Sequence, residues 1–244
     1  MKTRTSLLCS LFMVLAAVGC TIQLNTVAGS GHVTTETRPV SNFDAVTFAG
    51  FGDLTIIQGD SESLTIQAED NILPHITTRV TNGTLVIGFD SQYGSDEIRP
   101  TQPIKFNLAL KNLSALELSG AGSVQSTSLK TEQLSIRVSG AGNIKIDNLE
   151  ANGLTTTLSG AGNLNLGGHA ANVDSRLTGL GSFQAGNLKS KSAKITVSGA
   201  GSATLAAEES LDVTLSGVGS VEYYGSPKVS QRISGLGSVR SVSK

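Results

Sequence analysis

The sequence predicts an all-β chain, folded as a right-handed parallel β-helix (a β-solenoid) with coils of about 20 residues. Three observations predict it. First, one five-residue phrase recurs seven times: SGAGS at 119–123, SGAGN at 139–143, SGAGN at 159–163, TGLGS at 178–182, SGAGS at 198–202, SGVGS at 216–220 and SGLGS at 234–238. Second, each phrase is flanked by alternating residues. An aliphatic residue stands just before it (Leu118, Val138, Leu158, Leu177, Val197, Leu215, Ile233) and an apolar one just after (Val124, Ile144, Leu164, Phe183, Ala203, Val221, Val239). Polar residues lie one step further out on each side, which is the period of a strand with one inward face. Third, apolar spacing of 3.6 residues does not persist anywhere, so no amphipathic helix is expected.

One such coil cannot bury its apolar face alone. Stacked coils pair in parallel at about 4.8 Å, like residue above like, so the seven phrases span roughly 29 Å. Parallel crossovers are right-handed, which sets the expected hand. The turn glycines are Gly120 and Gly122, Gly140 and Gly142, Gly160 and Gly162, Gly179 and Gly181, Gly199 and Gly201, Gly217 and Gly219, and Gly235 and Gly237. They serve a sharp bend, where a positive φ or close stacking excludes a Cβ. The residue between each pair (Ala121, Ala141, Ala161, Leu180, Ala200, Val218, Leu236) is expected to point inward. Asn143 and Asn163 are expected to form an amide ladder on neighbouring coils. A third apolar pair recurs further along, as Leu129/Leu134, Leu149/Leu154 and Leu188/Ala193, so each coil is expected to hold three short strands.

Ahead of the repeats, Ala49-Gly50-Phe51-Gly52-Asp53 reads as a degenerate eighth phrase. Period-2 runs follow at 54–57, 64–66, 76–80 and 85–87, and Asn82-Gly83 is a tight-turn signal between the last two. Residues 91–103 read as a long exposed loop. The organisation is therefore a leader over 1–19, a tether over 20–40, and a solenoid over 41–240, irregular in 41–103 and regular in 104–240.

The leader is a secretion signal: Lys2 and Arg4 precede an apolar stretch from Leu7 to Val18 that is short for a membrane span. Ala17-Val18-Gly19-Cys20 resembles a bacterial lipobox, which makes Cys20 the lipidation site and new amino terminus. The expected partner at this end is the membrane, reached through the lipid anchor. Thr21, rather than Asp, follows the cysteine, which points to the outer membrane in a Gram-negative host. After cleavage Cys20 is the only cysteine, so no intramolecular disulfide is available.

Composition narrows the function classes. With 39% hydrophobic residues the chain can build a core but is no polytopic membrane protein. Loss of Lys2 and Arg4 leaves 16 basic and 19 acidic residues, a net charge of −3, and there is no long basic run, so nucleic acid is not an expected partner. His32, His75 and His169 have no metal-ligand spacing, so no metal or cofactor is expected. The phrases also lack the Asp of calcium-binding glycine repeats. An enzyme of this fold would need converging carboxylates, and the candidates are Asp53, Asp60, Glu62, Glu69, Asp70, Asp90, Asp96 and Glu97. Tyr223-Tyr224 are read as a cap over the last coils, with stacking on a sugar as the alternative.

The repeated phrases, with Phe43 and the Ala49–Asp53 opening, resemble a bacterial family of secreted proteins, the autotransporter adhesin head or GIN domain, over roughly 41–240. The resemblance implies a pectin-lyase-like β-helix, frequent lipoprotein anchoring, no established catalytic residues, and a role in adhesion. The expected function is a non-enzymatic cell-envelope lipoprotein that presents a β-helix surface to protein or glycan. The alternatives are a polysaccharide-active β-helix enzyme and a structural or stress-related envelope component.

Overall fold

The computed structural model describes residues 26–90 and 98–243. The strands are β1 (Val27–Ala28), β2 (Val33–Arg38), β3 (Ala45–Phe48), β4 (Asp53–Gln58), β5 (Ser63–Glu69), β6 (Ile76–Thr81), β7 (Thr84–Phe89), β8 (Ile98–Arg99), β9 (Lys105–Leu110), β10 (Ala115–Leu118), β11 (Ser123–Val138), β12 (Asn143–Leu158), β13 (Asn163–Leu177), β14 (Ser182–Val197), β15 (Ser202–Leu215), β16 (Val218–Tyr224), β17 (Lys228–Ile233) and β18 (Leu236–Ser241). The one helical element described is a single 3-10 turn at Leu73–His75.

From β10 onward every pairing is parallel and joins one coil to the next, which makes the chain a parallel β-solenoid. Val124 stacks on Ile144, which stacks on Leu164 and then on Phe183, Ala203 and Val221, all of them buried. The expected three short strands per coil are present and join end to end into one run of 14 to 16 residues in β11 to β15; in the β11–β12 ladder they are 123–126, 128–131 and 133–138. The corners show as breaks in the alternation. In β11 the buried residues are Val124 and Ser126, then Leu129, then Leu134, Ile136 and Val138.

The phrase is the one place where each run is interrupted. Even there the ladder continues: Ala121 N–H donates to Gly50 O, Ala141 to Gly120 O and Ala161 to Gly140 O, each at 3.1 Å. The degenerate phrase at 49–53 thus lies directly under the first full one. A Cβ on Gly142 would stand 2.2 Å from Gly122 O and 2.6 Å from Leu118 Cδ2, and one on Gly140 would stand 1.9 Å from Gly120 O. Close backbone stacking, not a left-handed φ, therefore excludes a side chain. Among the phrase glycines only Gly52, in the degenerate copy, has a positive φ (111°).

The residue between the glycines points outward, which corrects the inward expectation. Ala121, Ala141 and Ala161 are exposed. Leu180, Val218 and Leu236 are 71%, 57% and 80% exposed. The inward-facing positions of the bend are the glycines themselves. The amide ladder does form: Asn163 Nδ2 donates to Asn143 Oδ1 at 2.9 Å, and Ser182 Oγ donates to Asn163 Oδ1 at 2.7 Å.

The N-terminal end is closed by a mixed sheet. β3 and β4 form the first coil; β7 pairs parallel beneath β3 and β9 beneath β4. β6, β5 and β2 then run antiparallel and end the stack. The Asn82-Gly83 hairpin joins β6 to β7 with φ of 50° and 74°, both positive as a type I′ turn requires. Phe48 meets Phe106 edge-on at 5.2 Å, and Phe51 stacks on Phe89 at 4.4 Å.

The expected tether over 20–40 is corrected in its second half. β1 and β2 are strands, so the ordered fold begins by Val27 rather than near Ser41. Glu69 holds this segment in place. Its buried carboxylate accepts Gly31 N–H at 2.7 Å, Thr101 N–H at 2.8 Å, Thr101 O–H at 2.5 Å and Gln102 N–H at 3.3 Å. Gly29 packs so close that a Cβ there would meet the carboxylate at 2.1 Å. Of the expected loop at 91–103, residues 91–97 lie outside the described residues; Ile98–Arg99 form β8 and pair with β1. At the other end no strand covers β17 and β18 among the described residues, and Ile233 is 44% exposed.

Two measurements follow from this packing. Gly142→Ala should cost about 2 kcal/mol or more, because backbone rather than a flexible side chain must yield, whereas Ala141→Val, one residue away, should stay within about 0.5 kcal/mol. Denaturant midpoints of the two variants check the contrast. For Glu69, burial pushes the carboxyl up, but its hydrogen bonds outweigh burial and hold it below the ordinary 4.5. A folded value below the unfolded one means that its stabilisation is complete above pH 4.5 and is lost as pH falls through the folded value. The advantage of the parent over Glu69→Gln in thermal melts should therefore shrink as pH is lowered below 4.5.

Candidate functional site

The site is built by one corner of the coil, repeated. At the corner preceding the third aliphatic column, successive coils place Gln133, Gly153, Asn172, Ser192, Ser210 and Lys228 one above another. Gly153, Ser192 and Ser210 are too small to fill a corner. The edges of Leu154, Val173, Ala193 and Leu211 therefore form a floor, and Thr155, Asp174, Lys194, Asp212 and Ser230 form a wall. The hollow is about 500 Å³. A second hollow of about 820 Å³ continues it toward the N-terminal end, lined by Asp44, Lys130, Glu132, Glu150, Asn152 and His169 among others. Gln133 borders both, and its amide lies over Gly153, where a Cβ would come 2.0 Å from its oxygen. The six stacked corner residues span five steps, so this groove runs roughly 24 Å along the solenoid axis.

The groove carries both signs of charge in alternation. Asp174, Lys194 and Asp212 follow one another on neighbouring coils. Lys130 pairs with Glu150 at 3.4 Å, and Asn152 donates to Glu132. Ser210 Oγ donates to Ser192 Oγ at 3.0 Å. Along both hollows five carboxylates (Asp44, Glu132, Glu150, Asp174, Asp212) face three lysines (Lys130, Lys194, Lys228), a slight acidic excess that gives a polyanion no purchase. The groove offers hydroxyls and amides above an apolar floor. Strands cross the groove at right angles with their backbone groups already spent on the ladder, so recognition there falls to side chains.

The carboxylates considered for catalysis do not converge on this groove. Asp53 accepts Ser123 O–H at 2.5 Å, Asp70 accepts Ser30 O–H at 2.5 Å, and Glu62 accepts Asn42 N–H at 3.3 Å. Glu69 is enclosed by its four hydrogen bonds. The Asp90 amide donates to His75 O at 2.8 Å. Asp96 and Glu97 lie outside the described residues, as does Cys20. Among the described residues no three His, Cys, Asp or Glu side chains gather to hold a metal ion. No helix among them is long and apolar enough to cross a membrane. His169 lines the lower hollow; His32 and His75 lie in the N-terminal cap.

The two tyrosines part company, which corrects the reading of both as a cap. Tyr223 continues the inward column above Leu205 and packs against the core. Tyr224 stands on the outer face, above Ala206, with its ring reaching Gly186 two coils below. Sequence reasoning missed the groove. Its signal was a small or polar residue immediately before Leu134, Leu154, Val173, Ala193, Leu211 and Val229, a column that only the stacking register brings together.

Comparison with known proteins gives the same architecture. The chain superposes on a putative adhesin from Bacteroides fragilis with 28% identity and a TM-score of 0.84, over 88% of this chain and all of that one. A putative lipid binding protein from Parabacteroides distasonis shares the fold at 24% identity and TM-score 0.74, over 89% of this chain and 99% of that one. A putative adhesin from Parabacteroides merdae shares it at 23% identity and TM-score 0.67, over 89% and 99%. No curated protein matches the chain. The family model described as "Putative auto-transporter adhesin, head GIN domain" matches residues 42–227, and the chain belongs to that family.

Proposed function

We propose that the protein is a non-enzymatic binding module of the cell envelope, lipid-anchored at Cys20, which holds an extended glycan chain along its corner groove. The observation that carries this reading is the groove itself: continuous over the stacked corners, apolar at its floor and lined by hydroxyls, amides and charges of both signs. Ligand pockets of this make-up fix orientation with a few polar groups above an apolar surface. A sugar chain presents hydroxyls that both donate and accept, together with apolar C–H faces, and so matches both elements. A peptide would seek backbone partners that the groove does not offer.

Membership in an adhesin head-domain family supports an envelope or cell-surface location. The anchor sets an orientation. Val27, where β1 begins, is seven Cα steps on from Cys20, and extended chain reaches at most about 3.6 Å per step. The capped N-terminal end is then held within roughly 25 Å of the bilayer, with the uncovered coil facing away.

A glycan array probed with the leaderless protein should give a defined set of oligosaccharide hits. Ser192→Arg combined with Ser210→Arg would fill the groove from two coils and should weaken those hits at least about tenfold at unchanged melting temperature. No hits, or hits indifferent to the double variant, would remove the groove from the function. Separately, Cys20→Ser should move the full-length protein from the detergent-dependent membrane fraction to the soluble one.

A further inference from the structure

A smaller hollow lies on a different face, where the repeat loses its register. Coils begun by the phrases at 178 and 198 differ in length, 20 residues against 18. The difference is absorbed just past the bend. Ala185 pairs with Leu205, but the next pair is Lys189 with Ala206, so Gly186, Asn187 and Leu188 have no counterpart in β15. Against the coil below, the ladder also slips between Asn165/Gln184 and Gly167/Asn187. The slips leave a notch of about 240 Å³, lined by Asn165, Gln184, Gly186, Asn187, Thr204 and Tyr224. Ladder irregularities of this kind commonly re-aim side chains at binding sites.

Tyr224 forms one wall. It sits above Ala206, which is too small to block it, and its ring leans down to Gly186. A Cβ at Gly186 would meet Tyr224 Cε2 at 2.7 Å and Thr204 Cγ2 at 3.2 Å, so only glycine leaves room for that ring. The remaining lining groups are three amides and a hydroxyl, and each of these donates and accepts. No lining residue is charged. The charges above and below in the same column are satisfied by their own partners: Glu222 by Arg240, and Lys145 by Asp147 at 2.8 Å.

We propose that this notch is a subsite for a single uncharged sugar residue, its C–H face on the Tyr224 ring and its hydroxyls on Asn165, Gln184, Asn187 and Thr204. The notch is smaller than the roughly 300–1,000 Å³ of pockets that enclose drug-sized ligands, so it takes one ring rather than a chain. The π-face of tyrosine is negative and attracts the weakly positive C–H bonds of a pyranose. A charged ligand would lose its hydration with no countercharge in return. The site shares no residue with the corner groove and does not depend on it.

The test is saturation-transfer NMR with methyl glycosides of glucose, galactose, mannose and N-acetylglucosamine, each up to roughly 50 mM, well beyond the millimolar dissociation constants one small ring supports. At least one should bind, with transfer strongest to the protons of one ring face. Tyr224→Ala should weaken it about tenfold or more, while Tyr224→Phe keeps the stacking and stays within about threefold. Gly186→Val would push the Tyr224 ring out of its place in the wall and should also abolish binding. Circular dichroism melts establish that each variant is folded. The Ser192→Arg/Ser210→Arg groove variant should bind the glycoside like the parent. No binding of any of the four glycosides to the parent would overturn the proposal. So would binding indifferent to Tyr224→Ala, or binding lost only in the groove variant; this last result would leave the groove reading standing.

Discussion

The structure depends on one close approach: at every bend, the α-carbon of a glycine rests on the carbonyl of the equivalent glycine one coil below. A Cβ on Gly160 would lie 1.9 Å from Gly140 O, one on Gly179 1.9 Å from Gly160 O, and one on Gly217 1.9 Å from Gly199 O. Because the ladder bonds pass through the bend without a break, each coil is seated on its neighbour by backbone as well as by side chains. This fixes the phrase but frees its middle residue, which faces solvent. Alanine, leucine and valine all occur there because the position faces solvent rather than the core. Stability in such a stack is a sum of coils and nearest-neighbour interfaces, so damage at one bend acts first on the coils directly above and below.

A parallel stack cannot close on itself, and the two ends of this one differ. Under the first coil the chain turns to antiparallel pairing, since only reversal lets β2, β5 and β6 finish the sheet with short connections. Arg38 contributes by donating to Leu73 O at 3.0 Å and Ile76 O at 2.5 Å, which ties β2 to the 3-10 turn. The Glu69 carboxylate gathers the N-terminal segment and residues 101–102 on one buried acceptor. A buried charge is tolerable there because hydrogen bonds replace its water. The polarity of the molecule follows: a closed, hydrogen-bonded base and an uncovered last coil.

What the sequence made legible was whatever repeats locally. The period, the inward aliphatics beside each phrase, the degenerate copy at 49–53 and the Asn82-Gly83 hairpin are all visible within a few residues. The orientation of Ala121 and its equivalents was legible too, but hydrophobicity argued against parity. Counting by two from Leu118 through Gly120 and Gly122 to Val124 puts the glycines inside and Ala121 outside, and that count holds. β2 was hidden for the opposite reason. Val33–Arg38 is exposed along nearly its whole length, so a polar Thr-rich run carries no burial period even though it is fully paired with β5. Glu69 could not be assigned from sequence because its partners lie more than 30 residues away on both sides. The groove and the notch needed the register between coils, which a single coil does not contain.

The coil lengths explain where a binding surface can form on such a scaffold. Successive phrases start 20, 20, 19, 20, 18 and 18 residues apart, yet the residues flanking each phrase remain in register from coil to coil. All the slippage falls elsewhere, between Ile146 and Leu149, Asn165 and Gly167, Ala185 and Lys189, and Ser190 and Ser192. A residue gained or lost at the bend would drive a Cβ into the carbonyl below. At the other corners it only moves an exposed loop of backbone outward or inward. The glycine bend therefore keeps the stack, and the remaining corners absorb change at small cost to the core. The corner groove and the notch both lie among those permissive corners, one where small residues align and one where a coil shortens.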